Sequence, residues 1–151
     1  MLRLSKLTDY ATVLLCRMAV LKGLHTAVEL ATATGVAEPT VRKLMKNLVQ
    51  AGLVTSVRGA SGGYELAGTP TDISAAQIID AIEGPVAITE CSGDHSACDI
   101  QSHCAVGSKW QRISERIHGA LSDVTLAQLA DPRPLPLKLD LGVDENSRAP
   151  A

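Results

Sequence analysis

"TAVELATATGVAEPTVRKLMKNLVQAGLVTSVRGASGGYEL", residues 26–66, decides the fold. Thr26 stands three residues before Glu29, the spacing at which a capping hydroxyl and a carboxylate satisfy each other's backbone amides. Gly35 suits the position just past a helix end. A short "VAE" link leads to Pro39, whose fixed φ suits a first helical residue. Val41, Leu44, Met45, Leu48 and Val49 then recur as one apolar helix face, and Gly52 ends the run. Two short helices joined by a tight turn make a helix-turn-helix, a pattern common to many helical pairs. The residues after Gly52 narrow the choice. "LVTSVRGASGGYEL" reads as two strand-like runs about a Gly/Ser tip, a β-hairpin with an exposed end. Helix-turn-helix and then hairpin is the order of a winged helix.

Upstream, a helix is expected from Ser5 to Lys22, with Leu4, Leu7, Ala11, Leu14, Met18 and Leu21 on one stripe and Val13, Cys16 and Val20 on a second. Two apolar sides predict packing on both, with Cys16 as core. Downstream, "DISAAQIIDAIEG" supplies a fourth helix: Ser74 and Gln77 form a capping box, Ile73 and Ile78 a hydrophobic staple, and Gly84-Pro85 the stop. Further on, "SKWQRISERIHGALSDV" places Trp110, Ile113, Ile117, Leu121 and Val124 at three- and four-residue steps, with Arg112, Glu115, Arg116 and His118 between them. A long apolar seam opposite a charged face fits packing onto the body or a homodimer contact, and the dimer is the expectation, through Trp110, Ile113, Ile117 and Leu121. Residues 131–151 hold four prolines and show no sustained period, so most of this tail is expected to be disordered. The fold class is therefore mainly α with a small β-hairpin: a winged helix-turn-helix plus a long C-terminal dimerisation helix. The expected division is a DNA-binding domain over 1–84, a cysteine-rich loop over 85–106, the dimerisation helix and a short helix after it over 107–130, and the tail.

Composition agrees. The 151 residues are about one domain's worth of chain, 46% apolar, with no Phe and only Tyr10, Tyr64 and Trp110 as aromatics. The core must be aliphatic. Net charge is −2, but residues 1–67 carry eight Lys/Arg against four Asp/Glu, hence +4, while the remainder carries six against twelve, hence −6. A basic front on an acidic remainder suggests a polyanion-facing module joined to something else. The most apolar run, "ATVLLCRMAVLKGL", is interrupted by Arg17 and Lys22, and the N-terminus makes a poor signal peptide. The expected location is cytoplasmic, with no membrane partner.

The polar side of the second helix of the pair carries Thr40, Arg42, Lys43, Lys46, Asn47 and Gln50. Such a face is often merely solvated. The glycine-rich hairpin shifts the balance, because Arg58 sits just before "GASGG", where small residues allow close approach to a duplex. An arginine there can enter a minor groove while the helix lies in the major groove. Arg42, Lys43 and Asn47 suit base edges, whereas Lys46, Ser56 and Ser61 suit phosphates.

Residues 90–110, "ECSGDHSACDIQSHCAVGSKW", gather three of the four cysteines at a spacing of C-x6-C-x5-C. Zinc sites usually pair ligands two to four residues apart, so Cys91, Cys98 and Cys104 fit zinc less well. Unpaired thiolates on an acidic loop suit an iron–sulfur cluster, 2Fe–2S or 4Fe–4S. Zinc and a thiol–disulfide switch stay open. Three cysteines do not complete a four-ligand site; Asp94, His95, Asp99 and His103 are nearby donors.

"LSKLTDYATVLL", "SVRGASGGYEL", "ISAAQIIDAIEG" and the three-cysteine loop together resemble the IscR-like winged-helix regulators, over residues 1 to about 130. Within that family the chain is most similar to regulators of the SUF iron–sulfur assembly operon. The resemblance implies a homodimer that binds a palindromic double-stranded operator and carries one cluster per subunit on Cys91, Cys98 and Cys104, which match the family's ligand positions. The first gap is six residues here, where several members have five. IscR has a histidine three residues after the last cysteine, a position held here by Gly107. Nitric-oxide-sensing relatives have an aspartate at the start of the first helix, which corresponds to Asp9 in "LTDYA". Where IscR has a base-reading glutamate this chain has Arg42, so operator preference does not carry over.

The implied function is a repressor of SUF genes that senses cluster status. A second reading keeps DNA binding but senses nitric oxide or thiol oxidation. A third, of another class, is a small metal-binding adaptor. No GxSxG, Walker or HExxH pattern occurs, so neither an enzyme nor a small-molecule substrate is expected.

Overall fold

Ser5 opens the first helix: its hydroxyl accepts the Thr8 amide at 3.3 Å, and α1 (Lys6–Leu21) begins there. The computed structural model describes residues 3–85, 88–89 and 106–135. Ala11, Leu14, Leu15 and Met18 are fully buried on the side of α1 that meets the rest of the body. The second stripe is covered only in part: Cys16 packs against the core, and Val13, Cys16 and Val20 line an open groove with Ala33, Thr34, Leu129 and Ala130. Val13 and Val20 stay exposed, Val20 at 59%, and Cys16 is only half-buried. Periodicity correctly reports that α1 is apolar on two sides, but only the first is closed over; on the second, α2 and α6 flank a groove that stays open. Lys22 then turns the chain at φ 53°, ψ 153°, a conformation that costs a non-glycine residue about 1–3 kcal/mol.

Helix α2 (Ala27–Thr34) has the full capping box between Thr26 and Glu29 and stops at Gly35, φ 75°. Helix α3 (Glu38–Gln50) starts one residue before Pro39, with Ala37 at the cap position and no side-chain cap. Val41, Leu44, Met45 and Leu48 are buried to 0% exposure. Burial at about 1.5–3 kcal/mol per side chain, rather than surface pairing, holds this helix in place.

The hairpin is β1 (Val54–Val57) and β2 (Gly63–Leu66), antiparallel, with Val54 opposite Leu66 and Val57 opposite Gly63. A backbone bridge from His25 extends it: the His25 amide donates to the Tyr64 carbonyl at 2.9 Å, and the Tyr64 amide donates back at 2.7 Å. The wing is thus tied to the loop after α1.

Helix α4 (Ala75–Glu83) has the Ser74–Gln77 capping box, with Ile73 and Ile78 both buried as a staple requires. Helix α5 (Gly107–Ser122) is long and charged, and only Ser114 on it is buried. Helix α6 (Leu126–Ala130) closes the fold. Thr125 and Gln128 cap it, the Leu126 amide donates to the Ile73 carbonyl at 2.7 Å, and Leu126 lies fully buried in the same core as α1 and α3. Within the tail, residues 131–135 form a short stretch with an Asp131–Arg133 ion pair; residues 136–151 lie outside the described residues. This is a winged helix-turn-helix with a long additional helix. Among the described residues no helix is long and apolar enough to cross a membrane.

Candidate nucleic-acid interface

The buried stripe of α3 dictates what its other side can be. With Val41, Leu44, Met45 and Leu48 turned inward, Arg42, Lys43 and Lys46 are exposed together, and Thr40 and Asn47 are half-buried at the margins of that face. Arg42 is not free. Its Nε and Nη2 both donate to Oε1 of Glu38, at 2.9 and 2.6 Å, one helical turn toward the N-terminus. Both side chains are well exposed, so the pair adds only about 0.3–0.5 kcal/mol to the helix. Its effect is directional instead: while the pair is formed, the Nε–Nη2 edge of the guanidinium is turned toward Glu38.

On the wing, Arg58 and Ser61 are exposed at the tip and Ser56 on β1. The glycines between them answer first to the hairpin itself. A Cβ on Gly62 would lie 2.3 Å from the Val57 carbonyl oxygen, and one on Gly63 would lie 2.6 Å from that of His25. The turn and the His25 bridge therefore require glycine whether or not a duplex approaches. Close approach to DNA needs no separate demand from these residues.

The cysteine segment lies outside the described residues, and with it Cys91, Cys98, Cys104, Asp94, His95, Asp99 and His103. What surrounds it is described. Glu83, the last residue of α4, accepts the Ser5 amide at 2.8 Å and the Thr8 hydroxyl on the same carboxylate oxygen. These bonds, the Thr8 hydroxyl foremost, hold the Glu83 carboxyl below its ordinary value. Mid-α4, Asp80 meets His118 of α5 at 3.0 Å. The Ile88 amide donates to the buried Ser114 hydroxyl of α5 at 3.3 Å. The exit from α4 is thus fastened both to the start of α1 and to α5. Asp9 is exposed on the first turn of α1, on the wall of a groove of about 920 Å³ that Ile79, Leu121 and Val124 also line. Among the described residues no group of three His, Cys, Asp or Glu side chains could hold a metal ion. Cys16 is a poor thiolate donor, because burial pushes its thiol up.

The seam of α5 is covered only in part among the described residues. Trp110 and Ile113 are 39% and 41% exposed, Ile117 and Leu121 are half-buried, and Val124 falls beyond the helix end. Reading from sequence missed Glu38, His25, Glu83 and Ser114. The four-residue step from Glu38 to Arg42 was a usable signal. Nothing local betrays Glu83, whose Thr8 partner is 75 positions away.

The sequence model of the Rrf2 family, described as an iron-dependent transcriptional regulator, matches residues 4–132. This chain belongs to the Rrf2 family. Among similar Rrf2-type proteins, the transcriptional regulator IscR of Vibrio atlanticus (strain LGP32) is 36% identical over 95 residues, which is 63% of this chain and 54% of that protein. The chain spans little more than half the length of the curated relatives it matches. Two solved structures are similar as well. CymR, the global cysteine regulator of B. subtilis, superposes with a TM-score of 0.66 at 29% identity, over 86% of this chain and 97% of that one. T. potens IscR does so at 0.61 and 30%, over 83% and 84%. The curated relative is named as a transcriptional regulator, not as an enzyme.

Proposed function

We propose that this Rrf2-family protein is a DNA-binding transcriptional regulator, acting as a homodimeric repressor of SUF iron–sulfur assembly genes that responds to an iron–sulfur cluster. What carries the reading is the joint exposure of Arg42, Lys43 and Lys46 on α3 and of Arg58 on the adjoining wing, above a rigid aliphatic core. Residues 1–84 form the reading head. Arg42, Lys43 and Asn47 meet base edges in the major groove, Arg58 enters a minor groove, and Thr40, Lys46, Ser56 and Ser61 serve the backbone and its phosphates. The seam of α5, with Trp110 and Ile113 exposed and Ile117 and Leu121 half-buried, pairs two copies, which matches a two-fold operator to a two-fold protein.

The donor chemistry fits a cluster. Cys91, Cys98 and Cys104 offer three soft thiolates, with Asp9 as the fourth ligand. When bound, such a cluster supplies a labile inorganic centre sensitive to iron shortage and oxidants. The chain's own part is mechanical. The segment leaves α4 at Glu83, which is bonded to Ser5 and Thr8, and touches α5 through Ile88 and Ser114. Order in residues 85–106 therefore bears on how α4 and α5 sit against α1. A shift of about 1–3 kcal/mol between two arrangements changes operator affinity roughly 5- to 150-fold.

Anaerobic reconstitution, with iron and acid-labile sulfide assays and operator binding by both forms, tests this. Reconstituted protein should be coloured, and the two forms should differ in affinity; a colourless, sulfide-free product sinks the cluster reading. Loss of duplex binding with rising salt, without any footprint, sinks the operator reading.

The likeness to CymR of Staphylococcus aureus in its oxidized form, 26% identical with a TM-score of 0.63, favours a second reading, in which the thiols of this chain respond to oxidation without a metal. Alkylation mass spectrometry before and after oxidant separates the two.

A further inference from the structure

We propose that Glu38 is a positioning residue for base recognition: it occupies one edge of the Arg42 guanidinium, so that the other edge meets a guanine in a single orientation. The inference rests on the operator reading above and adds to it the residue that sharpens its specificity. Glu38 is the first residue of α3, and N-terminal residues of a recognition helix are the ones that reach base edges. A guanidinium has five N–H donors on two usable edges. The Nε–Nη2 edge is taken by Oε1 of Glu38, at 2.9 and 2.6 Å. The terminal Nη1–Nη2 edge stays open, and two parallel donors there are what O6 and N7 of guanine require.

Charge makes the same division. The Glu38–Arg42 pair is neutral as a unit, so Arg42 contributes little to long-range attraction; Lys43, Lys46 and Arg58 supply that. In water the pair is weak because both partners are exposed. Inside a groove that sheds its water the same two bonds strengthen, and an arginine that strayed toward phosphate would leave Glu38 unpaired beside a polyanion. Glu38 thus trades general affinity for discrimination.

The test selects duplexes from a random pool with the full-length protein, then titrates selected and scrambled duplexes at several salt concentrations. Wild type, Glu38→Gln, Arg42→Lys and the double variant are compared. Wild type should require guanine at one position of each half-site. Glu38→Gln should lose about tenfold of that preference, bind scrambled DNA more tightly, and show a log affinity against log salt slope steeper by about one. Arg42→Lys should lose the preference too, and adding Glu38→Gln to it should change the preference no further. A guanine preference unchanged in Glu38→Gln, or an equal further loss in the Arg42→Lys background, overturns the pairing while leaving the operator reading intact. A wild type with no sequence preference overturns the operator reading and this inference with it.

Discussion

Helices α3 and α5 carry the same kind of pattern, apolar residues every three or four positions opposite a charged face, and meet opposite fates. In α3 the apolar side is gone from solvent: Val41, Leu44, Met45 and Leu48 show no exposure. In α5 only Ser114 is buried, while Trp110 and Ile113 face outward. Amphipathic spacing says that one face wants cover, not what provides it. For α3 the cover is intramolecular and lies beneath a charged surface; for α5, among the described residues, Trp110 and Ile113 are left largely uncovered.

The sharpest way to break that contrast is a matched pair of truncations. Leu44→Ala should cost about 2–5 kcal/mol of unfolding free energy in a denaturant titration. Ile113→Ala should cost under about 0.5 kcal/mol on a monomer, yet weaken self-association in analytical ultracentrifugation. Equal losses from both would mean that α5 is cored within one chain. A smaller effect is expected at the wing. Gly63→Ala pushes a methyl toward the His25 carbonyl oxygen and should destabilise by about 1–3 kcal/mol, with the loss of hydrogen-exchange protection centred on the Tyr64 amide.

Smaller still is the tie that joins the two regions. Glu83→Gln should cost about 1 kcal/mol at pH 7. Because the native carboxyl titrates below its ordinary 4.5, the wild-type advantage is in full above that value and fades as pH falls through the depressed one. Paired thermal melts between pH 3 and 7 check it; a gap that widens on acidification would refute the assignment.

Much of the fold was legible because its chemistry is local. Thr26 with Glu29 and Ser74 with Gln77 announce helix starts within four residues, and Gly35 and Gly84 announce ends. The second apolar stripe of α1 misled for the opposite reason: burial of Val13 and Val20 depends on neighbours brought from far along the chain, and Leu129 and Ala130 arrive beside them without closing the groove. At the candidate interface the basic residues were readable, whereas the orientation of Arg42 needed its rotamer. The ties around the cysteine segment join residues tens of positions apart, and no window of sequence contains both partners.

Helix α6 gives the architecture a topological property. The chain departs from the core at Glu83 and is back in it at Leu126, where Ser74 and Thr125 bridge and the Ile73 carbonyl receives the Leu126 amide. The two ends of the intervening stretch are thus held by the core, so the entropy of bringing them together is already accounted for before any cofactor arrives. A protease nick inside that stretch would yield two fragments that still travel as one particle, separable only by unfolding the aliphatic centre they share.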